Sequence, residues 1–231
     1  VKRENVLLTA GSGEVLDVVG TTYLQNGKVV LGADPSYGSV YQHATTIKSD
    51  AIKLPLLKDF RQDIPGMIAA ANRNARDIGF FYLCNPNNPT GVVVSAKEVR
   101  QVVEGLPKDM PILIDEAYHH FVDDPAYGTA VPYVLEGRPV IVARTFSKIA
   151  ALAAMRIGYA IAPADIIQRL RAYSINSVNV AAKFGAAASL KDTAGQAEVR
   201  KKVIALRTST SKELEAWGYP VIPSQTNFFM V

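Results

Sequence analysis

What is scarce in this sequence excludes several classes of protein. A single cysteine, Cys84, cannot build an internal disulfide framework or a cysteine-rich zinc site. No apolar run approaches the roughly 18 to 20 residues of a membrane-spanning helix, and the first residues carry no apolar signal-peptide core. We therefore expect a soluble protein of the cytoplasm that has no membrane partner.

A strong excess of one charge is also absent. The 25 lysines and arginines stand against 21 aspartates and glutamates, which leaves a net charge of +4. The basic residues are spread along the chain, so the pI of about 9.1 is weak support for nucleic-acid binding, and no nucleic-acid partner is expected. The 231 residues are 48% apolar and 20% charged, a composition that favours a folded core over disorder.

Short apolar runs alternate with segments of helical periodicity. Strands are predicted at 6–8, 28–32, 78–84, 111–114 and 140–143. Helices are predicted after Gly13, from Ser95 with Glu98 completing a capping box, and along the apolar positions from Val199 to Trp217. This alternation predicts an α/β fold: a mainly parallel sheet with helices on both faces, in three αβα layers.

The two ends of the chain suggest a part of a longer protein. Val1 is not an initiator methionine, and residues 226–231 form an apolar run typical of a strand. We therefore expect one large domain at residues 1–218. Residues 219–231 are expected to be the first strand of a smaller α+β domain.

Two charged residues follow predicted buried strands, where ligands of open α/β sheets bind. Asp115 comes directly after aliphatic residues, and a buried carboxylate needs a cationic partner or strong donors. Its alternative role is to cap the next helix. A partly buried Lys148 could serve as a nucleophilic amine, and its alternative is a side chain that reaches the solvent.

Short motifs occur together in a recognisable order. They are Asn87-Asn88-Pro89-Thr90-Gly91, Asp115-Glu116-Ala117-Tyr118, Thr145-Phe146-Ser147-Lys148, and Arg156 eight residues after the lysine. In this order and spacing the sequence resembles pyridoxal-phosphate enzymes of the aspartate aminotransferase fold, in particular the histidinol-phosphate aminotransferase branch. The resemblance extends from Gly11 to Phe229 and implies the cofactor-binding large domain of that fold.

The resemblance implies a catalytic set of Lys148, Asp115 and Tyr118 around pyridoxal phosphate. Lys148 would form a Schiff base with the cofactor aldehyde, and Asp115 would keep the pyridine nitrogen protonated. The Asn88 amide and the Tyr118 hydroxyl would donate to the phenolic oxygen. Tyr37 would stack on the ring.

The remaining cofactor-binding residues implied by the resemblance surround the phosphate. Ser12 and Gly13 lie at the predicted helix N-terminus, where free N–H groups and the helix dipole favour an anion. Thr145, Ser147 and Arg156 would complete the phosphate site. No metal site is expected.

The implied reaction transfers an amino group between an amino donor and an oxo acid, as in amino-acid biosynthesis. The donor is an amino acid or amine, histidinol-phosphate-like or another. Decarboxylases and lyases share this cofactor shell, and a non-catalytic module could keep the fold, so these alternatives stay open. Relatives are homodimers, and a homodimer is expected here. The arginine that binds the substrate carboxylate in such enzymes lies in a C-terminal region outside this sequence.

Some residues depart from functional patterns. Ala154 stands where many relatives carry glycine, and residues 149–154 are nearly all small. Cys84 is interpreted as a buried structural thiol, and His119 and His120 as surface or packing residues because they lack metal-binding partners at the right spacing. Gly11-x-Gly13 fails the dinucleotide fingerprint because Leu16 occupies the third glycine position.

Overall fold

Seven strands and eight α-helices follow one another along residues 1–231, all of which the computed structural model describes. The strands are β1 (Val6–Thr9), β2 (Val29–Asp34), β3 (Ala51–Pro55), β4 (Ile78–Cys84), β5 (Ile112–Asp115), β6 (Val140–Thr145) and β7 (Gly158–Ile161). The helices are α1 (Ser12–Tyr23), α2 (Ser39–Thr46), α3 (Ile64–Arg73), α4 (Ala96–Gly105), α5 (Val131–Leu135), α6 (Ala164–Arg171), α7 (Val180–Lys191) and α8 (Thr193–Ala216). Three short 3-10 turns occupy Arg3–Asn5, His119–Phe121 and Ala153–Met155.

All seven strands form one sheet in the order β1-β7-β6-β5-β4-β2-β3. The pairs among β2 to β6 are parallel, and β7 is antiparallel to both β6 and β1. Residues 146–157 join β6 to β7 without the α-helix that usually makes a parallel crossover, and β7 returns beside β6 in the opposite direction. The other six strands therefore end at the same edge of the sheet.

Apolar side chains cover both faces of this sheet. On β5, Ile112 and Ile114 belong to a buried cluster on one face, while Leu113 belongs to a second cluster on the other. This division follows from the two-residue side-chain period of a strand. The predicted α/β fold, a mainly parallel sheet with helices on both faces, is confirmed.

Two helices show how far the local sequence determines their ends. Ser95 and Glu98 form the predicted capping box at the start of α4. The predicted C-terminal helix is confirmed as α8, and Gly218 follows it with a φ of 88°. Its apolar stripe is largely exposed, however, because Arg207 is the only buried residue of α8.

The C-terminal residues 219–231 differ from their prediction. No strand forms at 226–231, and Ile222 N donates to Met230 O as the one backbone bond within this segment. A strand needs a neighbouring strand to satisfy its backbone groups, and none lies beside this segment. The division at residue 218 stays a prediction. Among the helices, none is both long enough and apolar enough to cross a bilayer.

Candidate functional site

A cavity of about 200 Å³ opens at the edge where six strands end. All ten residues that the sequence singled out for the cofactor line it: Ser12, Gly13, Tyr37, Asn88, Asp115, Tyr118, Thr145, Ser147, Lys148 and Arg156. Parallel strands bring their carboxyl ends together, so residues distant in sequence meet here. Cys84, Ala117 and Ala153 complete the lining.

Asp115 brings a buried carboxylate to the floor of the cavity. It is the last residue of β5 and is 3% exposed. Its Oδ1 accepts a hydrogen bond from the Ala117 N–H at 3.1 Å. Burial raises the pKa of Asp115 to about 6, although the Ala117 N–H and the positive charge of Lys148 act in the opposite direction. A cation placed against this carboxylate would therefore be bound strongly.

Lys148 supplies an amine on the same cavity wall. It lies in the turn that follows β6 and is half-buried. Its Nζ lies 4.9 Å from the centroid of the Tyr118 ring. A cation over an aromatic face is attracted by the negative face of the ring. The Tyr118 ring thereby directs the amine toward the cavity that both residues line.

The start of α1 forms a corner of the cavity that is rich in hydrogen-bond donors. The first N–H groups of this 12-residue helix, at Ser12 and Gly13, have no partner within the helix. Gly11 has a φ of 89°, and a Cβ there would collide with the Arg156 guanidinium. Arg156 donates from Nη1 to Ala153 O at 2.9 Å and from Nη2 to Ala10 O at 3.3 Å. The glycine therefore permits the arginine to lie against the helix start.

Hydroxyl groups close the other side of this corner. Thr145 Oγ1 donates to Ser147 Oγ at 2.9 Å and accepts from the Ser147 N–H at 3.1 Å. Gly158 lets β7 approach the helix start, since a Cβ there would lie 2.5 Å from Ser12 N. The corner thus combines backbone donors, hydroxyls and a guanidinium, which are the groups that bind a phosphate.

Tyr37 and Asn88 belong to two loops that Asn87 joins. Ser36 Oγ donates to Asn87 Oδ1 at 2.8 Å, and Asn87 Nδ2 donates to Pro35 O at 3.1 Å. Tyr37 is 40% exposed at the mouth of the cavity. Partial burial, followed by the Asp115 charge, raises the pKa of its hydroxyl. The role of Asn87 was missed at the sequence level, although it lies in the quoted Asn-Pro motif.

Two further acidic residues support the site without lining the cavity, and the sequence reading missed both. Glu14 Oε2 accepts from Ala10 N at 2.5 Å and so holds the loop before α1. Glu116 accepts from Arg144 Nη2 at 2.7 Å, and its neighbours Thr129 and Ala130 also donate to it. Glu14 could have been found from its place as the third residue of a helix. Glu116 could have been found because it directly follows Asp115.

Three residues set aside as structural lie as expected. Cys84 is buried, and burial raises the pKa of its thiol to about 12, so it is not a thiolate at neutral pH. The ring centroids of His119 and His120 lie 3.7 Å apart. Burial, followed by the Arg144 charge, lowers the pKa of His120 to about 4, which keeps it neutral. No group of three or more His, Cys, Asp or Glu side chains is arranged to hold a metal ion.

Comparison with known proteins identifies the family of the chain. The family model for class I and II aminotransferases matches residues 1–231. The chain belongs to this family. It is 34% identical to the histidinol-phosphate aminotransferase of Moorella thermoacetica, over all of this chain and 59% of the relative. It is 33% identical to the Brevibacillus brevis enzyme of the same name, over all of this chain and 63% of that relative.

Solved aminotransferases share the fold. The histidinol-phosphate aminotransferase of Sinorhizobium meliloti, solved in complex with pyridoxal 5'-phosphate, superposes with a TM-score of 0.89 at 26% identity. The match covers 96% of this chain and 60% of that one. The chain thus spans less than two thirds of the length of these aminotransferases.

Proposed function

We propose that this aminotransferase-family protein transfers an amino group from an amino acid or amine to a 2-oxo acid, with pyridoxal 5'-phosphate as its cofactor. One observation carries the proposal: a single cavity is lined by an amine, a buried carboxylate and a helix start with free N–H groups. The names of the relatives favour histidinol phosphate as the first donor to test.

The anionic end of pyridoxal phosphate fits the corner at the start of α1. The free N–H groups of Ser12 and Gly13 and the positive end of the helix dipole face an anion there. The Ser147 hydroxyl and the Arg156 guanidinium line the same cavity. These donors would hold the phosphate.

The ring end of the cofactor fits the remaining residues. Asp115 would lie against the protonated pyridine nitrogen, which supplies the cation that its buried carboxylate lacks. Asn88 and Tyr118 would donate to the phenolic oxygen, and Tyr37 would cover a face of the ring. Lys148 is the only amine that lines the cavity, so it would bind the cofactor aldehyde.

In the proposed mechanism the cofactor supplies the electron sink, and residues of this chain bind protons and orient the groups. When bound, pyridoxal phosphate supplies an electron sink for charge that develops on the substrate carbon. Asp115 would hold the proton on the ring nitrogen. The free Lys148 Nζ would accept a proton from the substrate carbon and hold it until it is returned. Tyr118 and Lys148 keep their mutual orientation through the 4.9 Å ring contact.

A labelled donor tests this proposal. Purified protein with pyridoxal phosphate is given a panel of ¹⁵N-labelled amino donors, including histidinol phosphate, together with 2-oxo acids. We expect the label to appear in the amino acid formed from the oxo acid, with the donor carbon skeleton intact. Release of carbon dioxide or cleavage of the donor would show a decarboxylase or lyase instead. No chemical change with any donor would point to a non-catalytic module.

We further propose that two copies associate through α7, in the cytoplasm. Val180, Phe184 and Leu190 on this helix are 66%, 75% and 62% exposed, whereas only Ala182 and Ala186 are buried. Apolar side chains grouped on one surface helix mark an interaction site. The homodimer expected from the family resemblance would cover them.

Sedimentation of the purified protein tests this assembly. The wild type is expected to be a dimer, and Phe184→Asp is expected to weaken the dimer at least about tenfold, since a charge would be buried in an apolar contact. Trp217→Asp is the matched control, because Trp217 is an exposed aromatic residue beyond the end of α8. A fully active wild-type monomer at every concentration would disprove the dimer. An unaffected Phe184→Asp dimer would remove α7 from the contact.

A further inference from the structure

We propose that Phe228 is a positioning residue for the site: it fixes the orientation of the Tyr118 ring and, through that ring, the Lys148 amine. This inference deepens the proposed function and rests on it for its catalytic meaning. Phe228 does not line the cavity, so its effect must pass through Tyr118.

The segment that carries Phe228 is held tightly although it has no regular secondary structure. Thr226 is 0% exposed. Its N–H donates to Ser224 Oγ at 3.1 Å, and its Oγ1 donates to Phe228 O at 2.8 Å and accepts from the Phe228 N–H at 3.2 Å. Gln225 N donates to Gly91 O at 2.8 Å, in the loop that also carries Asn88. These bonds fix the backbone at Phe228.

Arg207 ties this segment to the turn that follows Tyr118. From α8 it donates to Thr226 O at 3.1 Å and to Phe121 O at 3.3 Å, and it forms an ion pair with Asp123 at 2.7 Å. Gln225 Oε1 also accepts from the Asp123 N–H at 2.8 Å. A largely buried arginine with three partners gives a rigid junction. Phe228 and Tyr118 therefore share one anchored frame.

The two aromatic rings meet edge to face. The Phe228 and Tyr118 centroids lie 4.9 Å apart, and the ring planes are inclined at 85°. This arrangement places the positive edge of one ring against the negative face of the other. Ala117, Phe121 and Ile149 pack in the same cluster, with Phe228 at its border. Removal of Phe228 would leave space into which the Tyr118 ring could turn.

The Tyr118 ring also contacts the Lys148 amine. Lys148 Nζ lies 4.9 Å from its centroid, so an ammonium there is held by the ring face. A turned ring would lose this contact and would also move the hydroxyl that donates toward the cofactor. Phe228 thus controls two cavity groups at once without touching substrate or cofactor.

The first experiment measures Lys148 without cofactor. Cofactor-free protein is labelled with trace acetic anhydride at fixed pH, and mass spectrometry compares acetylation of Lys148 with that of exposed Lys201 and Lys212. In Phe228→Ala the relative rate at Lys148 is expected to rise about two- to fivefold, because the ammonium loses its aromatic partner. Phe228→Leu fills part of the space but lacks the aromatic edge that meets Tyr118, so the rate should rise in the same direction by a smaller factor. Phe228→Tyr should restore the wild-type rate.

The matched control is Phe229→Ala. Phe229 lies next in sequence but borders a surface groove with Leu206 and Thr210 of α8 rather than Tyr118. We expect its Lys148 labelling rate to equal that of the wild type. An unchanged rate in both Phe228→Ala and Phe228→Leu, or an equal change in Phe229→Ala, would overturn the inference. If Phe228→Ala does not fold, Phe228→Leu decides the outcome.

A kinetic readout separates this inference from the proposed function. In the loaded enzyme we expect Phe228→Leu to lower kcat more than it raises KM, because the substrate contacts remain. Inactive wild-type protein would contradict the proposed function but leave the labelling result interpretable. Normal labelling together with normal kcat in Phe228→Leu would contradict the positioning role alone.

Discussion

Replacement of Lys148 by alanine is expected to lower the amino-transfer rate at least about 10³-fold while pyridoxal phosphate still binds. The variant loses both the amine that bonds the cofactor and the base that moves the substrate proton, and general base catalysis alone contributes about 10² to 10⁴. Asp115 accepts its hydrogen bond from Ala117, and the N–H groups at the start of α1 are backbone groups, so neither is removed with this side chain. The measurements are kcat/KM with the best donor and cofactor retention on dialysis.

Two further variants make this result specific. Lys148→Arg keeps the positive charge over Tyr118 but lacks the nucleophile, so it should be as inactive as the alanine variant. Lys201→Ala removes an exposed lysine on α8 and should leave the rate unchanged. A Lys148→Ala protein with near-normal turnover would contradict the assignment.

Asp115→Asn is expected to make the cofactor-free protein more stable at pH 8, by up to about 3 kcal/mol. Burial raises the pKa of Asp115 from 3.8 to about 6, so the folded state binds its proton more tightly than the unfolded state does. As the pH rises from about 4 through 6, the unfolded chain releases the proton first, and the stability contributed by this group is lost. An asparagine never ionises and avoids this loss, while its Oδ1 can still accept from Ala117.

The pH dependence separates this explanation from a general packing effect. We expect the stability difference between Asp115→Asn and the wild type to shrink toward zero near pH 4, where both side chains are neutral. Thermal melts at pH 4, 6 and 8 measure it. Asp115→Asn should also lower turnover, because an amide cannot hold the proton on the ring nitrogen. A variant that is equally destabilised at all three pH values would contradict the buried, ionised carboxylate.

Much of the site was predictable because its chemistry is local in sequence. Asp115 could be recognised as buried because aliphatic residues precede it in a strand, and both strand and burial are confirmed. Parallel strands then bring Lys148, Asp115 and Ser12 to one edge, so knowledge of the fold class was enough to predict that they meet. Their individual roles stay predictions.

The rest depended on contacts between segments far apart in the chain. The reversed direction of β7 is seen in its pairing with β6 and β1, and the connection before it has no strong turn signal in its sequence. Arg207 acts through bonds to Phe121 and Thr226, which no local pattern indicates. Residues 226–231 form no strand in the structure, because an apolar run becomes a strand only where a partner strand lies beside it.

The most direct test of the account is to find which lysine binds the cofactor. Protein incubated with pyridoxal phosphate is treated with borohydride, which reduces a carbon–nitrogen double bond to a stable amine, and is then digested and mapped by mass spectrometry. An amine held within bonding reach of the bound aldehyde has a large effective concentration. Exposed lysines meet the aldehyde only when free cofactor diffuses to them. The account predicts that the adduct lies on the peptide containing Ser147-Lys148-Ile149. An adduct mainly on another lysine would contradict it.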